Sequence, residues 1–251
     1  MLWRGRGAAA LLVVAVACAC SSDDAPTAAT STTAPVSTTT AAPTTTAPPL
    51  TGEPLVVVDR GVSTFPDPFD PRATLGGYGV VIENPNPDVM ATGVRVVTRL
   101  LDDAGTELLV DSALLNAILP EQRMAVGRTL VEPIEGPTQL EVAIEVSEWL
   151  EPASTEGRLA ATDVVTEPEE AGGSVTRFNV ISTWPDEEEG VDVTAIYRAD
   201  DGRILGADYT SIAKVTPDDP VPGQIRLLSP IPDLATTEVF VGRGFAALTT
   251  G

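Results

Sequence analysis

Ser211 and Lys214 are the residues whose types and spacing come closest to a catalytic motif. A serine followed three residues later by a lysine is the S-x-x-K pattern of serine acyltransferases that act on cell-wall peptides and β-lactams. That chemistry needs the serine at the start of a helix, the lysine one turn later, and accompanying S-D-N and K-T-G elements. The chain has neither element and no second lysine. We therefore predict a loop or strand here and assign no catalytic residue.

Other common catalytic and metal-binding chemistries lack the residue types that they need. The chain has no histidine, and its two cysteines are Cys18 and Cys20. Serine–histidine–aspartate catalysis, cysteine–histidine catalysis and zinc sites of His and Cys are therefore excluded after Cys20. Gly77, Tyr78 and Gly79 precede a predicted strand, whereas the glycines of a dinucleotide-binding loop follow a strand and open a helix. We predict a turn or bulge at these residues, and no cofactor.

Carboxylates are concentrated in three predicted loops, at Asp67–Asp70, Asp186–Glu189 and Asp218–Asp219. Hard oxygen ligands in loops suit Ca²⁺, which takes six to eight of them. None of the loops has the spacing of an EF-hand, and an acidic run is usually a solvated surface. No metal ligand is assigned, and a calcium-stabilised adhesion module remains an alternative.

Aromatic residues make up only 4% of the chain, which is few for the cleft of a paired-carboxylate glycosidase. We predict that the large aromatic residues belong to the core and do not form a carbohydrate platform. These residues are Tyr78, Trp149, Phe178, Trp184, Tyr197 and Phe240.

Residues 1–20 predict an export signal that ends in a lipid attachment site. Arg4 and Arg6 precede an apolar run from Ala8 to Ala17, which suits a signal peptide and is too short to span a bilayer. The following Val-Ala-Cys-Ala-Cys resembles the lipobox of bacterial lipoproteins, with small residues before a cysteine. Cys20 is preferred as the lipidated residue because it borders a polar stretch, and Cys18 is the alternative. An ordinary secretory signal is the second interpretation.

Residues 21–54 are almost entirely Thr, Ala, Pro and Ser. Such a segment lacks the apolar side chains that offset the entropy of ordering, so we predict a disordered tether. No later stretch is long and apolar enough to predict a membrane-spanning helix. The lipid bilayer, reached through the N-terminal anchor, is therefore one expected partner, with the folded region on the extracellular side of the cell membrane.

The charge of the chain limits its other partners. Its formal net charge is −21, with 15 basic and 36 acidic residues. Nucleic-acid binding depends on basic side chains that neutralise phosphates, so it is excluded. An envelope protein, a wall polymer or another extracellular ligand remains as a partner.

An internal repeat organises the residues after the tether. At an offset of 97 residues, thirteen identities fall between residues 91 and 145, where chance gives roughly three. The pairs include Gly93/Gly190, Gly105/Gly202 and Pro120/Pro217. Because the period is far longer than that of solenoid repeats, it predicts two copies of a whole domain, at 55–152 and 153–251.

Each copy has the two-residue period of β-strands. Val94, Val96, Thr98 and Leu100 alternate with residues assigned to an outer face, as do the residues of 191–198. Glycine-containing turns and further short strands follow in both copies, which is typical of an antiparallel sandwich. Residues 111–118 fit either a strand or one helical turn.

Leu100 to Gly105 and Tyr197 to Gly202 resemble a motif of the FxLYD-type bacterial extracytoplasmic domains. In that family an alternating strand runs into an acidic turn with a glycine, and a proline-acidic turn follows later. The resemblance implies a small Ig-like sandwich and a non-catalytic surface module without a family-wide active site. The overall expectation is an all-β lipoprotein with two tandem antiparallel sandwiches, which binds or scaffolds in the cell envelope through a surface loop or a groove between the copies. A wall-acting enzyme or its remnant is a further alternative.

Overall fold

The computed structural model describes residues 49–67, 69–70, 72–130, 132–134, 136–152, 157–169 and 173–243. The predicted signal, most of the predicted tether, Cys18 and Cys20 lie outside these ranges, as do residues 153–156 at the predicted domain boundary. The described residues form twelve β-strands, all paired antiparallel, which confirms the predicted all-β tandem sandwich. Within this part of the chain, no helix is long and apolar enough to cross a membrane.

The first sandwich consists of two three-stranded sheets. Sheet A has the order β1-β2-β5 and sheet B the order β4-β3-β6, and apolar side chains between them form one core. Alternate residues of the strands form this core, such as Val80 and Ile82 of β2 and Val94 and Val96 of β3. The strands are β1 (Val56–Pro66), β2 (Thr74–Glu83), β3 (Met90–Leu101), β4 (Glu107–Ile118), β5 (Arg123–Thr129) and β6 (Gln139–Leu150).

The second sandwich repeats this arrangement. Sheet C has the order β11-β8-β7 and sheet D the order β10-β9-β12, which are the orders of sheets A and B with the equivalent strands. The undecided segment 111–118 belongs to a strand, β4, and at the offset of 97 residues β4 matches β10 over its whole length. The strands are β7 (Leu159–Pro168), β8 (Ser174–Ser182), β9 (Glu188–Arg198), β10 (Ile204–Val215), β11 (Val221–Leu227) and β12 (Thr236–Gly242).

The turns that the repeat predicts have the same backbone conformation in both copies. Gly105 and Gly202 adopt φ angles of 79° and 84°, in the left-handed region that glycine enters without steric cost. Glu121 and Asp218, each directly after the repeated proline, adopt 56° and 58°. The predicted hairpin and proline turns are therefore confirmed.

The alternation of buried and exposed residues predicted for the first copy is confirmed. For the second copy, the predicted exposure of the outer face is wrong. In β3, Val94, Val96 and Leu100 are buried while Arg95 and Arg99 are exposed. In β9, by contrast, both faces are covered, because residues assigned to the outer face, among them Thr194 and Ile196, are also buried. The reason is that sheet A packs on this face of sheet D.

The two sandwiches join through an apolar cluster formed by Val81 and Ala125 of sheet A and by residues of sheet D, namely Ile196, Ile204, Ala207 and Phe240. The sheets therefore stack in the order B-A-D-C, and we call the contact between sheets A and D the junction. Polar bonds across it include Ser63 Oγ to the Ile204 carbonyl at 2.7 Å and Thr129 Oγ1 to the Ala207 carbonyl at 3.1 Å. A third connection is the ion pair from Arg198 Nη1 to Asp59 Oδ2 at 2.6 Å.

Gly77, Tyr78 and Gly79 lie inside strand β2, so the predicted turn or bulge is wrong. Their glycines serve the junction. A Cβ atom on Gly77 would lie 2.9 Å from Gly206 Cα and closer still to the Leu205 carbonyl oxygen, and one on Gly79 would lie 2.8 Å from Ile196 Cδ1. Only glycine lets the two backbones approach to this distance.

The prediction that the large aromatic residues belong to the core is confirmed. Five of them are buried, and Trp149 is half-buried against the core of the first sandwich. The five are Tyr78, Phe178, Trp184, Tyr197 and Phe240.

Candidate functional site

Ser211 and Lys214 do not form a catalytic pair. They lie on strand β10, as a loop or strand was predicted, and side chains three positions apart on a strand point to opposite faces. Lys214 instead forms an ion pair with Glu187. The S-x-x-K pattern is thus a coincidence of sequence without the helical geometry of the enzymes that share it.

The acidic loops use their carboxylates within the protein: those of the first loop cap turns, and Glu187 and Glu188 form ion pairs with Lys214 and Arg243. Asp67 Oδ1 accepts the backbone N–H of Phe69 at 2.8 Å, and Asp70 Oδ1 accepts that of Arg72 at 3.0 Å. In the described ranges, no three Asp, Glu, His or Cys side chains come together in a way that would hold a metal ion.

A groove lies where the junction reaches the side of the stack. It encloses a cavity of about 280 Å³ that is lined by residues 111–115 of β4, 126–128 of β5 and 209–210 of β10, with 192–194 of β9 behind them. Both sandwiches therefore contribute to its walls. A cavity of this size lies at the lower end of the range for ligand sites, about 300–1,000 Å³.

Three free sheet edges meet at the groove. Strands β4, β5 and β10 each pair with only one neighbour, so each is the edge of its sheet. An edge strand carries backbone N–H and C=O groups that point away from its partner and are available to a further chain. Two of these edges are already partly used by side chains at the groove, because Ser112 N–H donates to Asp111 Oδ1 and Tyr209 N–H donates to Asp208 Oδ1, each at 2.8 Å.

Tyr78, Asp111 and Arg128 form a polar cluster at the back of the groove. The Tyr78 hydroxyl donates a hydrogen bond to Asp111 Oδ2 at 2.6 Å, and Arg128 Nη1 lies 3.6 Å from the same oxygen. Burial, and then the bond to Asp111, raise the pKa of Tyr78 well above its usual value, so the hydroxyl stays a proton donor at neutral pH. The cluster connects sheet A to sheet B and fixes the position of Asp111.

Asp192 is the second carboxylate of the groove, and it has a different environment. Asn116 Nδ2 donates a hydrogen bond to Asp192 Oδ2 at 3.0 Å, and the aspartate forms no ion pair with any residue that the structure describes. Burial raises the pKa of Asp192, an effect that the bond from Asn116 reduces in part. Arg128, the cation of the groove, is matched by Asp111 and does not neutralise Asp192.

Two exposed side chains, Leu114 and Tyr209, form the rim of the groove. Their exposures are 64% and 63%, among the highest for large apolar and aromatic residues of the described chain. Tyr209 is paired with Thr194 across β9 and β10, which places it diagonally next to Asp192 on the same face of sheet D. An apolar and an aromatic surface therefore stand beside a half-buried carboxylate.

Replacing Asp192 by asparagine is expected to raise the stability of the protein at pH 7. Because its pKa is raised on folding, the folded state holds a proton that the unfolded state has lost, so unfolding free energy falls as pH rises from about 4 through the folded pKa. Asparagine does not ionise, so the variant does not lose unfolding free energy in this way as pH rises. Its side-chain carbonyl still accepts the hydrogen bond from Asn116. Urea unfolding at pH 7 should show a higher midpoint, and the gain should shrink near pH 4. A lower midpoint at pH 7 would contradict the burial argument.

Comparisons with known proteins give no assignment for this site. No family model matches the chain, and no curated protein matches it either.

The sequence pointed to the junction of the two copies as the place for a groove, but not to its residues. Asp111 was included in the repeat as a partner of Asp208, which gave no sign of its contact with Tyr78. Asp192 was assigned to an exposed face. The one signal in the sequence is that Asp192 is the only charged residue from Val191 to Tyr197.

Proposed function

We propose that the protein is a lipid-anchored, non-catalytic binding module of the cell envelope, and that it holds its ligand in the groove at the junction. The anchor is a lipidated Cys20, or Cys18, and the folded region faces the extracellular side of the membrane. The ligand is an envelope protein, a wall polymer or another extracellular molecule. The observation that carries the proposal is the groove itself, with its free strand edges and exposed rim.

A binding role is supported by what the groove combines. Exposed apolar and aromatic side chains beside a small number of fixed polar groups are typical of ligand sites. Asp111 is fixed by Tyr78, and Asp192 by Asn116, so both carboxylates are already oriented before a ligand arrives. Preorganised groups of this kind lower the entropic cost of binding.

A binding role without chemistry fits the residues of the groove better than catalysis does. The groups there are two carboxylates, one arginine, two tyrosines and the hydroxyls of serine and threonine. The hydroxyl that lies beside a carboxylate, that of Tyr78, has a raised pKa because of burial and its bond to Asp111, so it is a poor nucleophile. The resemblance of both copies to FxLYD-type surface modules points in the same direction.

A photocrosslinking amino acid at position 209 tests the groove. In cells of the organism that makes the protein, we expect a crosslinked product from position 209 and also from position 114. Val165 on β7 is the matched control, because it is 51% exposed and belongs to sheet C, at the end of the stack opposite sheet B. Equal products at all three positions, or none at positions 209 and 114, would contradict a specific groove.

The lipid anchor is tested separately. Metabolic labelling with a radioactive fatty acid should label the wild-type chain, and Cys20→Ala should abolish the label if Cys20 is the attachment site. Loss of label in Cys18→Ala alone would move the site to Cys18. Absence of label in the wild type would favour the ordinary secretory signal.

A further inference from the structure

The charge of the groove restricts the ligand. Asp111 and Asp192 face the cavity against one cation, Arg128, and this cation lies 3.6 Å from Asp111. Asp192 is therefore a half-buried carboxylate without a positive partner among the described residues. A charged group of this kind lowers the stability of the folded protein unless a cation binds beside it. A positively charged ligand is therefore favoured at this position.

The rim supplies the other contacts that a cationic side chain uses. The exposed ring of Tyr209 lies on the same face as Asp192, and an aromatic face attracts an ammonium or guanidinium group within about 6 Å. Leu114 on the opposite wall offers an apolar surface for the methylene stem. Lys and Arg side chains bind in this manner, with the stem on apolar atoms and the charged head at a polar group.

The size and the edges of the groove indicate what carries the cation. The cavity of about 280 Å³ accepts a single long side chain, whereas a drug-sized ligand usually fills more. The edges of β4, β5 and β10 surround this cavity. The N–H groups of Ser112 and Tyr209 donate to neighbouring aspartates, and the other outward backbone groups of these edges are those that a further chain would use. An extended peptide that lies along such an edge forms main-chain hydrogen bonds and inserts alternate side chains into pockets.

We propose that the groove receives one lysine or arginine side chain from an extended segment of a partner protein, with the cationic head at Asp192 and the stem between Leu114 and Tyr209. This inference rests on the proposed function, because it names the ligand of the same groove. The acidic chain, with a net charge of −21, adds a long-range attraction for a basic partner.

A pair of peptides tests the inference with the isotope-labelled full chain. The first is acetyl-Thr-Val-Lys-Val-Thr-amide, and the second has norleucine, which keeps the stem and lacks the charge, in place of lysine. We expect the lysine peptide to shift the amide resonances of Tyr209 and Leu115 saturably, and the norleucine peptide to bind at least tenfold more weakly. Raising the salt concentration should reduce the difference in affinity between the two peptides, because salt screens the attraction between lysine and the carboxylate.

Two variants of matched charge separate the groove from the general acidity of the chain. Asp192→Asn should weaken binding of the lysine peptide at least tenfold. Asp219→Asn, at an exposed position in the turn between β10 and β11 that does not line the groove, should leave the affinity for this peptide within twofold. Unfolding curves of both variants show whether the fold is intact. Equal losses in the two variants would overturn the assignment of Asp192.

The remaining outcomes distinguish this inference from the proposed function. Equal binding of both peptides would overturn the cationic ligand and leave an apolar binding groove. Butylamine binding as tightly as the lysine peptide would overturn the protein segment as occupant and favour a small amine. No peptide binding together with crosslinks at position 209 would overturn the inference alone, and the absence of both would overturn the proposed function too.

Discussion

Arg243→Met is expected to lower the free energy of unfolding by about 3–5 kcal/mol, because it leaves a buried carboxylate without its partner. Arg243 donates to both oxygens of Glu188, from Nε to Oε2 and from Nη2 to Oε1, each at 2.9 Å. The Glu188 side chain is only 2% exposed, and the guanidinium also lies 4.5 Å above the ring of Trp184. One substitution therefore removes the bidentate pair and the stacking contact together.

The first sandwich suggests the compensating change. At the offset of 97 residues, Glu188 and Arg243 correspond to Ala91 and Val146, so the first copy has an apolar pair at the same place. Replacing a buried ion pair by well-packed apolar residues is often neutral or stabilising. We expect the double variant Glu188→Leu/Arg243→Met to recover most of the loss. Unfolding in guanidinium chloride of the wild type, the two single variants Glu188→Leu and Arg243→Met, and the double variant measures the interaction energy between the two residues. A loss below about 1 kcal/mol in Arg243→Met would contradict the role of the pair.

Gly77→Ala is expected to disrupt the junction and to lower stability by about 1–3 kcal/mol, the usual result of inserting a carbon into a packed interface. The new Cβ would contact Leu205 and Gly206 through their backbone atoms, which cannot rotate away. Sheets A and D would have to separate by enough to admit a methyl group. Hydrogen exchange of the amides near Val81 and Ala207, whose side chains belong to the junction, should accelerate more than that of the two sandwich cores.

Gly105→Asn is the matched control for this change. Gly105 has a left-handed backbone, with φ of 79°, which Gly77 does not have, but a Cβ on Gly105 would meet no atom within 4 Å. Asparagine enters the left-handed region more readily than most residues, so the cost should be small. Equal destabilisation by the two variants would contradict the close contact between the sheets as the source of a specific loss in Gly77→Ala.

Local features of the fold were predictable from the sequence because local residues determine them. Alternating burial of Val94, Val96 and Leu100, and the positive φ at Gly105 and Gly202, depend on neighbours along the chain and on one paired strand. These are the patterns that the repeat preserves. The all-β architecture followed from the same local signals.

The junction was not predictable from those signals, because it depends on which outer face each sandwich buries. An alternating strand identifies one buried face, and nothing in a period of two reveals that the other face is covered as well. The double burial of β9 and the role of Gly77 and Gly79 inside β2 both depend on this second contact. The two glycines are visible in the sequence, but a glycine inside a strand does not show which backbone or side chain will approach it.

The residues of the groove were not predictable from local signals either. Asp192 and Asn116 are separated by 76 residues, and Tyr78 and Asp111 by 33, so no short motif contains either pair. Only the docking of sheet A on sheet D brings the three edges together.

The stacking order B-A-D-C also bears on whether separate molecules could stack on one another as the two sandwiches of one chain do. The contact joins unlike faces of two similar sandwiches, and a head-to-tail contact of this kind generates an open polymer when it repeats. Repetition would require the outer face of sheet B to act as sheet D does. Instead, Arg99 and Glu107 occupy the positions of Ile196 and Ile204, and they pair with each other at 3.8 Å. At the other end, Phe178 faces Gly223 as Val80 faces Val126, so Arg177 of β8 stands at the position of Gly79 in β2. This face of sheet C therefore lacks the glycine that allows the close approach, and we expect no further sandwich to dock on it.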